Sequence, residues 1–190
     1  MCKEKALRNY LAGLTAGDGT LYYYRKTGNY YIEIYDENET FLRNVSKEIE
    51  TTFKIKCNIM KLKSRNYFRL RMSNKKLYMT LKELTRKRLK NPTKTFVRGL
   101  IDAEGTVYID NKGRIALEIG NKNYEIIKAI SKFLRREKIH HTITLHREKK
   151  SIIYKIRIRG WENVEKTIEK IKPKHPKIVV KFLNLLKFKP

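Results

Sequence analysis

Along this chain two periodicities take turns. In some stretches apolar and polar residues alternate one for one; in others the apolar residues recur three and four apart. Ile32 and Ile34 flank Glu33, and Phe68, Leu70 and Met72 alternate with Arg69 and Arg71. Leu117 and Ile119 flank Glu118 in the same way, and Ile156 and Ile158 alternate with Lys155, Arg157 and Arg159. Period two presents one strand face to a core and the other to solvent. Strands are therefore predicted around 30–34, 67–73, 115–119 and 152–159, with others near 55–63 and 141–147. Helices are predicted over 39–53 (ETFLRNVSKEIETTF) and 124–137 (YEIIKAISKFLRRE). Helical spacing also places Leu77, Leu81 and Leu84 on one face, and Val164, Ile168 and Ile171 on another.

These elements form two copies. Residues 11–19 read LAGLTAGDG and residues 97–105 read VRGLIDAEG. Gly13 matches Gly99, Leu14 matches Leu100, Asp18 matches Glu104 and Gly19 matches Gly105, at an offset of 86. Each copy runs helix, two strands, helix, two strands, helix, and reaches a Lys-x-Pro, at Lys90-Asn91-Pro92 and Lys174-His175-Pro176. The pattern predicts an α+β pseudo-dimer of tandem αββαββα halves, 1–94 and 95–190, with two antiparallel four-stranded sheets. Pro92 breaks the helix before the boundary. No Gly/Ser-rich linker intervenes, so the halves are expected to pack rigidly.

In a helix Gly13 and Gly17 share one face, with Ala12 and Ala16 beside them, and Gly99 and Ala103 hold the equivalent places. Such a small-residue face lets two backbones approach closely. A helical Gly costs about 1 kcal/mol relative to Ala, so the pattern implies a contact that needs the space. Gly19 and Gly105 are expected as left-handed C-caps. Asp18 and Glu104 then end their helices, where the macrodipole is already negative. Symmetric pairing would gather two carboxylates and the free terminal carbonyls. A hard divalent cation, Mg²⁺ above all, answers that charge. Beside a phosphodiester it activates water and stabilises the leaving oxygen. One such motif reads equally as packing plus a turn; two in register, both acidic at the same place, favour chemistry.

Charge narrows the partner. Lys and Arg number 45 against 19 Asp and Glu, a net +26. Moderate net charges of about 2–8 already keep a small domain soluble, so a field this strong fits a polyanion. Nucleic acid, whose neutralised phosphates release counterions, is the expected partner. A membrane is not expected: no basic amphipathic segment stands apart, and no apolar run approaches the roughly 20 residues of a span. The basic start leads into a small-residue helix rather than a signal-peptide core. Cys2 and Cys57 sit in no metal or redox spacing. A reducing cytoplasm and no structural zinc follow as expectations, in a prokaryote or alternatively an organelle. Absence of glutamine alongside abundant Lys, Ile and Glu points to a hot environment, and the many Asn point the other way. None of His140, His141, His146 and His175 has a metal-binding spacing, and Trp161 is expected to pack.

With its paired motifs the chain resembles the LAGLIDADG homing endonucleases in their monomeric two-motif form, and the likeness covers nearly its whole length. The resemblance implies motif helices at a central interface and saddle-shaped sheets in the DNA major groove. It also implies metal-dependent cutting of a long asymmetric duplex site, leaving 3′ overhangs. It implies Asp18 and Glu104 as metal ligands, assisted by the carbonyls of Gly17 and Ala103, with Mg²⁺ as cofactor and Mn²⁺ or Ca²⁺ able to substitute for binding. The copies depart from the family pattern at Thr15, Ala16 and Gly17 and at Val97 and Arg98; Ala16 replaces the inner acid that Asp102 keeps. The family carries basic residues near the metals, for which Lys90 and Lys174 are candidates with Lys87 and Lys172 as alternatives. Each reads equally as a solvated lysine. For the family's polar residue at the end of each second strand the candidates are Asp36 and Asn121, which read equally as helix N-caps.

The strand faces opposite the apolar residues are expected to meet DNA. They carry Tyr22, Tyr24, Lys26, Tyr31, Glu33, Lys61, Lys63, Arg69 and Arg71 in the first half. In the second they carry Tyr108, Arg114, Glu118, Lys155, Arg157 and Arg159, with His146 beside them. Arg can read guanine through two hydrogen bonds and Glu can accept from cytosine; others touch only phosphate. The halves differ on this face, Tyr31 against Ala116, so an asymmetric target is expected. A monomer needing no protein partner is expected. The rival class is a binder of the same fold, an intron RNA maturase or a non-cleaving DNA-binding protein, which can dispense with the acid pair.

Overall fold

Cross-strand register shows how the two periodicities become layers. The computed structural model describes residues 2–62, 66–148 and 151–189. The first half comprises α1 (Cys2–Asp18), β1 (Gly19–Tyr24), β2 (Asn29–Asp36), α2 (Glu39–Phe53), β3 (Cys57–Lys61), β4 (Phe68–Ser73) and α3 (Lys75–Lys90). The second comprises α4 (Lys94–Glu104), β5 (Gly105–Ile109), β6 (Ile115–Asn121), α5 (Tyr124–Arg136), β7 (Thr142–Glu148), β8 (Ser151–Arg159) and α6 (Trp161–Ile171). The sheets are antiparallel, in the orders β1-β2-β4-β3 and β5-β6-β8-β7. This is the expected α+β pseudo-twofold fold. Among the described residues no helix is long and apolar enough to cross a membrane.

Ile32 and Ile34 pair with Met72 and Leu70, placing these side chains on one face. Against them lie Phe41, Leu42, Val45 and Ile49 of α2 and Leu77 and Leu81 of α3, all buried. In the second half Leu117, Ile119, Ile156 and Ile158 meet Ile127, Ile130 and Phe133 of α5. Asn38, Asn74 and Asn123 start α2, α3 and α5 by accepting main-chain N–H bonds from Phe41, Leu77 and Glu125. Those caps fix where each helix leaves its sheet.

α1 and α4 make the central contact. A Cβ built on Gly13 would stand 2.0 Å from the Phe96 carbonyl oxygen, and one on Gly99 would stand 2.2 Å from the Tyr10 oxygen. Only hydrogen fits between these backbones. Gly19 and Gly105 differ from expectation. Each opens a strand, and Gly105 is extended (φ −79°, ψ 147°) rather than left-handed. Close approach is what these positions require: a Cβ on Gly19 would lie 2.5 Å from Thr15 Cα, and one on Gly105 would lie 2.5 Å from the Ile101 oxygen. Gly105 still caps α4, its N–H donating to the Ile101 carbonyl, but from an extended backbone that passes straight into β5.

One helix was not anticipated. Beyond the second repeat, α7 (Pro176–Leu185) runs into a short 3₁₀ turn, Leu186–Phe188. Pro176 occupies its first turn and His175 caps it, accepting from the Lys177 N–H at 2.9 Å. Ile178 and Phe182, four apart, are buried, each contributing roughly 1.5–3 kcal/mol. A Cβ on Gly105 would touch Ile178 Cδ1 at 3.1 Å, so α7 packs where β5 begins.

Gly13→Ala and Gly99→Ala are expected to lose about 3 kcal/mol or more in urea unfolding, because backbone rather than side chain must yield. Gly28→Ala, at φ 68° with open space around it, is the control at about 1 kcal/mol. Equal losses at all three sites would mean the helices do not need this contact.

Candidate metal centre and nucleic-acid interface

The tight crossing carries the two acids to one place. α1 and α4 end side by side: a Cβ on Gly17 would lie 2.5 Å from Ala103 Cβ and 3.7 Å from Glu104 Oε1. Asp18, Ala103 and Glu104 line an open cleft of about 640 Å³ together with Asp36, His175 and Lys177.

Both carboxyls are held above their ordinary range, chiefly by burial. Burial pushes Asp18 up to about 6, and the Asp36 charge adds to the shift, against the opposing pull of Lys177 and His175. Burial pushes Glu104 up to about 7, and the Asp18 charge raises it further, while the Asn121 amide and Lys177 oppose. The Lys177 ammonium donates to the Ala103 carbonyl, so a cation already sits on one of the expected metal-ligating oxygens. Among the described residues no group of three or more His, Cys, Asp or Glu side chains converges to hold a metal. The donors at the cleft are instead the Asp18 and Glu104 carboxylates and the Ala103 carbonyl, while Gly17 is not among its lining residues. The set is all oxygen and suits Mg²⁺- or Ca²⁺-like ions rather than zinc.

Two of the expected helpers are here and two are not. Asn121 Nδ2 donates to Glu104 Oε1. Asp36 is buried and bonded to His175 Nε2 at 2.9 and 3.0 Å. Neither residue is an N-cap; that role falls to Asn38 and Asn123, whose N–H groups donate at 2.7 Å to Asp36 and Asn121. Lys90 is exposed at the end of α3, where its carbonyl accepts from Lys132 Nζ at 2.9 Å. Lys174 turns away, pairing with Glu48 at 2.6 Å and lying over the Tyr10 ring. The position two residues before proline does not aim a lysine into the cleft; the first turn of α7 does, through Lys177.

What holds α7 there is a network the repeat did not reveal. Asp102, the inner acid of the second motif, is fully buried and accepts from the Lys174 N–H at 2.9 Å, the His175 N–H at 3.1 Å and the Tyr10 hydroxyl at 2.8 Å. Burial raises its pKa, and these bonds oppose the rise. The available signal was Pro176 with Ile178 and Phe182 at helical spacing beyond the repeat.

Comparison with known proteins adds the family. A LAGLIDADG-like domain model matches residues 91–172 and a WhiA LAGLIDADG-like domain model matches residues 7–83. The chain is 32% identical over 146 residues to the homing endonuclease I-DmoI of Desulfurococcus mucosus, covering 72% of this chain and 73% of that protein. The chain belongs to the LAGLIDADG homing endonuclease family. An uncharacterised protein of Methanocaldococcus jannaschii is 30% identical over 146 residues, 74% of this chain; the chain spans about half of that relative, 52%. Mesophilic variants of I-DmoI superpose with a TM-score of 0.73 at 28% identity, over 91% of this chain and 98% of theirs. I-DmoI in complex with DNA and Mn gives 0.70 at 28% identity, over 90% and 99%.

Register distributes the remaining candidates over this LAGLIDADG scaffold. Tyr22, Tyr24, Tyr31, Glu33, Arg69 and Arg71 share the outer face of the first sheet. Tyr108, Glu118, His146, Lys155, Arg157 and Arg159 share that of the second. Lys61 does not: it pairs with Phe68, on the side of Leu70 and Met72, two residues on from core-side Ile59. Lys26 lies in the β1–β2 turn, and Arg114 precedes β6 and bonds Asp110 at 3.0 Å. Lys63 lies outside the described residues.

Raised carboxyl pKa values mean the folded state binds protons more tightly than the unfolded chain. Their contribution to stability is present below about pH 4 and lost as pH rises through 6 and 7. In the metal-free protein Asp18→Asn with Glu104→Gln should therefore stabilise at pH 8 by roughly 1–3 kcal/mol. That gain should fade toward pH 4 in thermal melts. A gain independent of pH would contradict these shifts.

Proposed function

We propose that this protein is a site-specific endonuclease of double-stranded DNA that hydrolyses one phosphodiester in each strand of a long asymmetric target, leaving 3′ overhangs. The observation that carries the reading is the convergence of Asp18 and Glu104 at the ends of tightly crossed helices on a chain of net charge +26. We take the halves to divide at 94/95, one residue into α4, the helix that opens the second half. The protein acts as a monomer, without a protein partner, in the cytoplasm of a prokaryote, in intron homing.

The two carboxylates, with the carbonyls of Gly17 and Ala103, would hold divalent cations, Mg²⁺ in the cell with Mn²⁺ or Ca²⁺ able to take its place. Bound there, the metal supplies an activated water and charge stabilisation at the leaving oxygen. Asn121 orients the Glu104 carboxylate through its amide. Lys177 places a positive charge at the same mouth, where phosphate charge would be offset without reorganisation. The buried Asp36–His175 and Asp102–α7 bonds hold that lysine in position. Two solved neighbours, I-DmoI with DNA and Mn and I-DmoI with DNA and Ca, support divalent metal as the class of cofactor.

A binder of the same fold, acting on DNA without cutting it or on intron RNA, is the competing reading. The first half's match to a WhiA LAGLIDADG-like domain is the observation on its side. The retained acid pair weighs against it.

The test is selection of cleaved duplexes from a randomised library with and without Mg²⁺. Cutting should require the metal, and Asp18→Asn or Glu104→Gln should abolish it while DNA binding persists. Lys177→Met should slow single-turnover cleavage by about 10²–10³-fold. Full activity in both acid variants would remove the metal assignment. Binding with no cutting by the wild type under any divalent metal would favour the binder.

A further inference from the structure

We propose that Arg71 and Arg157 each read a guanine, one in each half of the target, and that Glu33 and Glu118 position these arginines instead of reading bases themselves. The target is then two-fold symmetric at one step and asymmetric around it. This inference rests on duplex DNA binding by the outer sheet faces and not on cleavage.

Register singles out one step. In the first sheet Thr20, Glu33, Arg71 and Asn58 stand side by side across β1, β2, β4 and β3. In the second sheet Thr106, Glu118, Arg157 and Thr142 stand at the same places across β5, β6, β8 and β7. Three of these four positions carry the same residue in both halves. The flanking rungs do not agree: the Tyr31–Ser73 pair of the first sheet corresponds to Ala116–Arg159 in the second, and Tyr35–Arg69 corresponds to Gly120–Lys155. Thr20 and Thr106 each lie two residues past the cleft acids, so the matched rungs flank the centre of the site.

The glutamates are occupied. Glu118 accepts from Lys155 Nζ at 2.9 Å, Arg157 Nε at 2.7 Å and the Tyr108 hydroxyl at 3.0 Å. Glu33 accepts from Arg71 Nε and the Tyr35 hydroxyl, with Arg69 at 3.3 Å, and its side chain is 4% exposed. A cytosine amino group could reach either carboxylate only by displacing a cation. The arginines are held without being used up. A guanidinium has five N–H donors in a rigid fork. Arg71 gives Nε to Glu33 and one bond to the Tyr22 hydroxyl at 3.1 Å. Arg157 gives Nε and one Nη to Glu118. Among the described residues the far edge of each fork has no hydrogen-bond partner, and the side chains keep 32% and 22% exposure. That edge matches O6 and N7 of guanine in the major groove. Fixing the fork in advance reduces what binding must order.

The test is a binding selection from a randomised duplex library in Ca²⁺, using the full chain. The wild type should enrich guanine at two positions equidistant from the target centre. Glu118→Gln and Arg157→Lys should each weaken that preference about tenfold in one half only, and Glu33→Gln and Arg71→Lys in the other. The lysine variants keep the charge, so overall affinity should change little and a folding defect is told apart from lost reading. Guanine enriched at neither position or only one, or a cytosine preference that vanishes with either glutamate, would overturn the proposal. A library that shows no enrichment at all would instead remove the DNA-binding reading, and this inference with it.

Discussion

Everything in this molecule depends on a backbone-to-backbone contact that tolerates no side chain. α1 and α4 touch through Gly13 and Gly99, and the distance at which a methyl group would strike carbonyl oxygen leaves no alternative spacing. Because the helices are this close, their final residues are close too. Two acids that would repel if free are held at one cleft by packing elsewhere. Burial lifts both carboxyls, and Asp18 lifts Glu104 further, so the centre of the fold is a place where positive charge is favoured. Such local destabilisation is a property of sites more than of scaffolds.

The positive charge arrives from an element outside the repeat. α7 is fastened at two buried carboxylates, Asp36 and Asp102, one from each half, and the Tyr10 hydroxyl steadies Asp102 from the first half. Asp102 belongs to the same motif as Glu104 yet does different work. One residue faces the cleft; the other, fully buried, accepts the main-chain N–H groups that introduce α7. Each buried polar atom of this network has a partner, which is what allows it to persist away from water. The lysine delivered in this way sits on the Ala103 carbonyl, beside both acids. The outer faces repeat the theme, since their carboxylates are enclosed by arginine, lysine and tyrosine and leave cationic edges outward.

Much of this was legible in residue order. Element order, both sheets, the division of strand faces and the paired acids follow from patterns only a few residues long. Lys61 was misplaced because its charge was taken to mark the outer face, whereas strict alternation from core-facing Ile59 puts it with Phe68 and leaves Asn58 and Met60 outward. Gly19 and Gly105 were expected to be left-handed because a glycine after a helix usually is; Gly105 does cap α4, yet extended, and crowding against the preceding turn explains both glycines better. Lys90 and Lys174 were chosen because they precede matched prolines. The symmetry that made the repeat visible hid α7, which has no counterpart in the first half.

By itself the amino-acid order determined which residues share a face, where helices start, and that two acidic helix ends occur in register. These are consequences of local geometry, since strand and helix periods act over neighbouring residues. Only the tertiary structure decided which lysine enters the cleft, that His175 and Asp102 are buried partners, and that Glu33 and Glu118 are enclosed by cations. Those pairings join residues 38 to 139 positions apart. No periodicity reaches across such a separation; it takes packing of the two halves and the last helix to bring the groups within bonding distance.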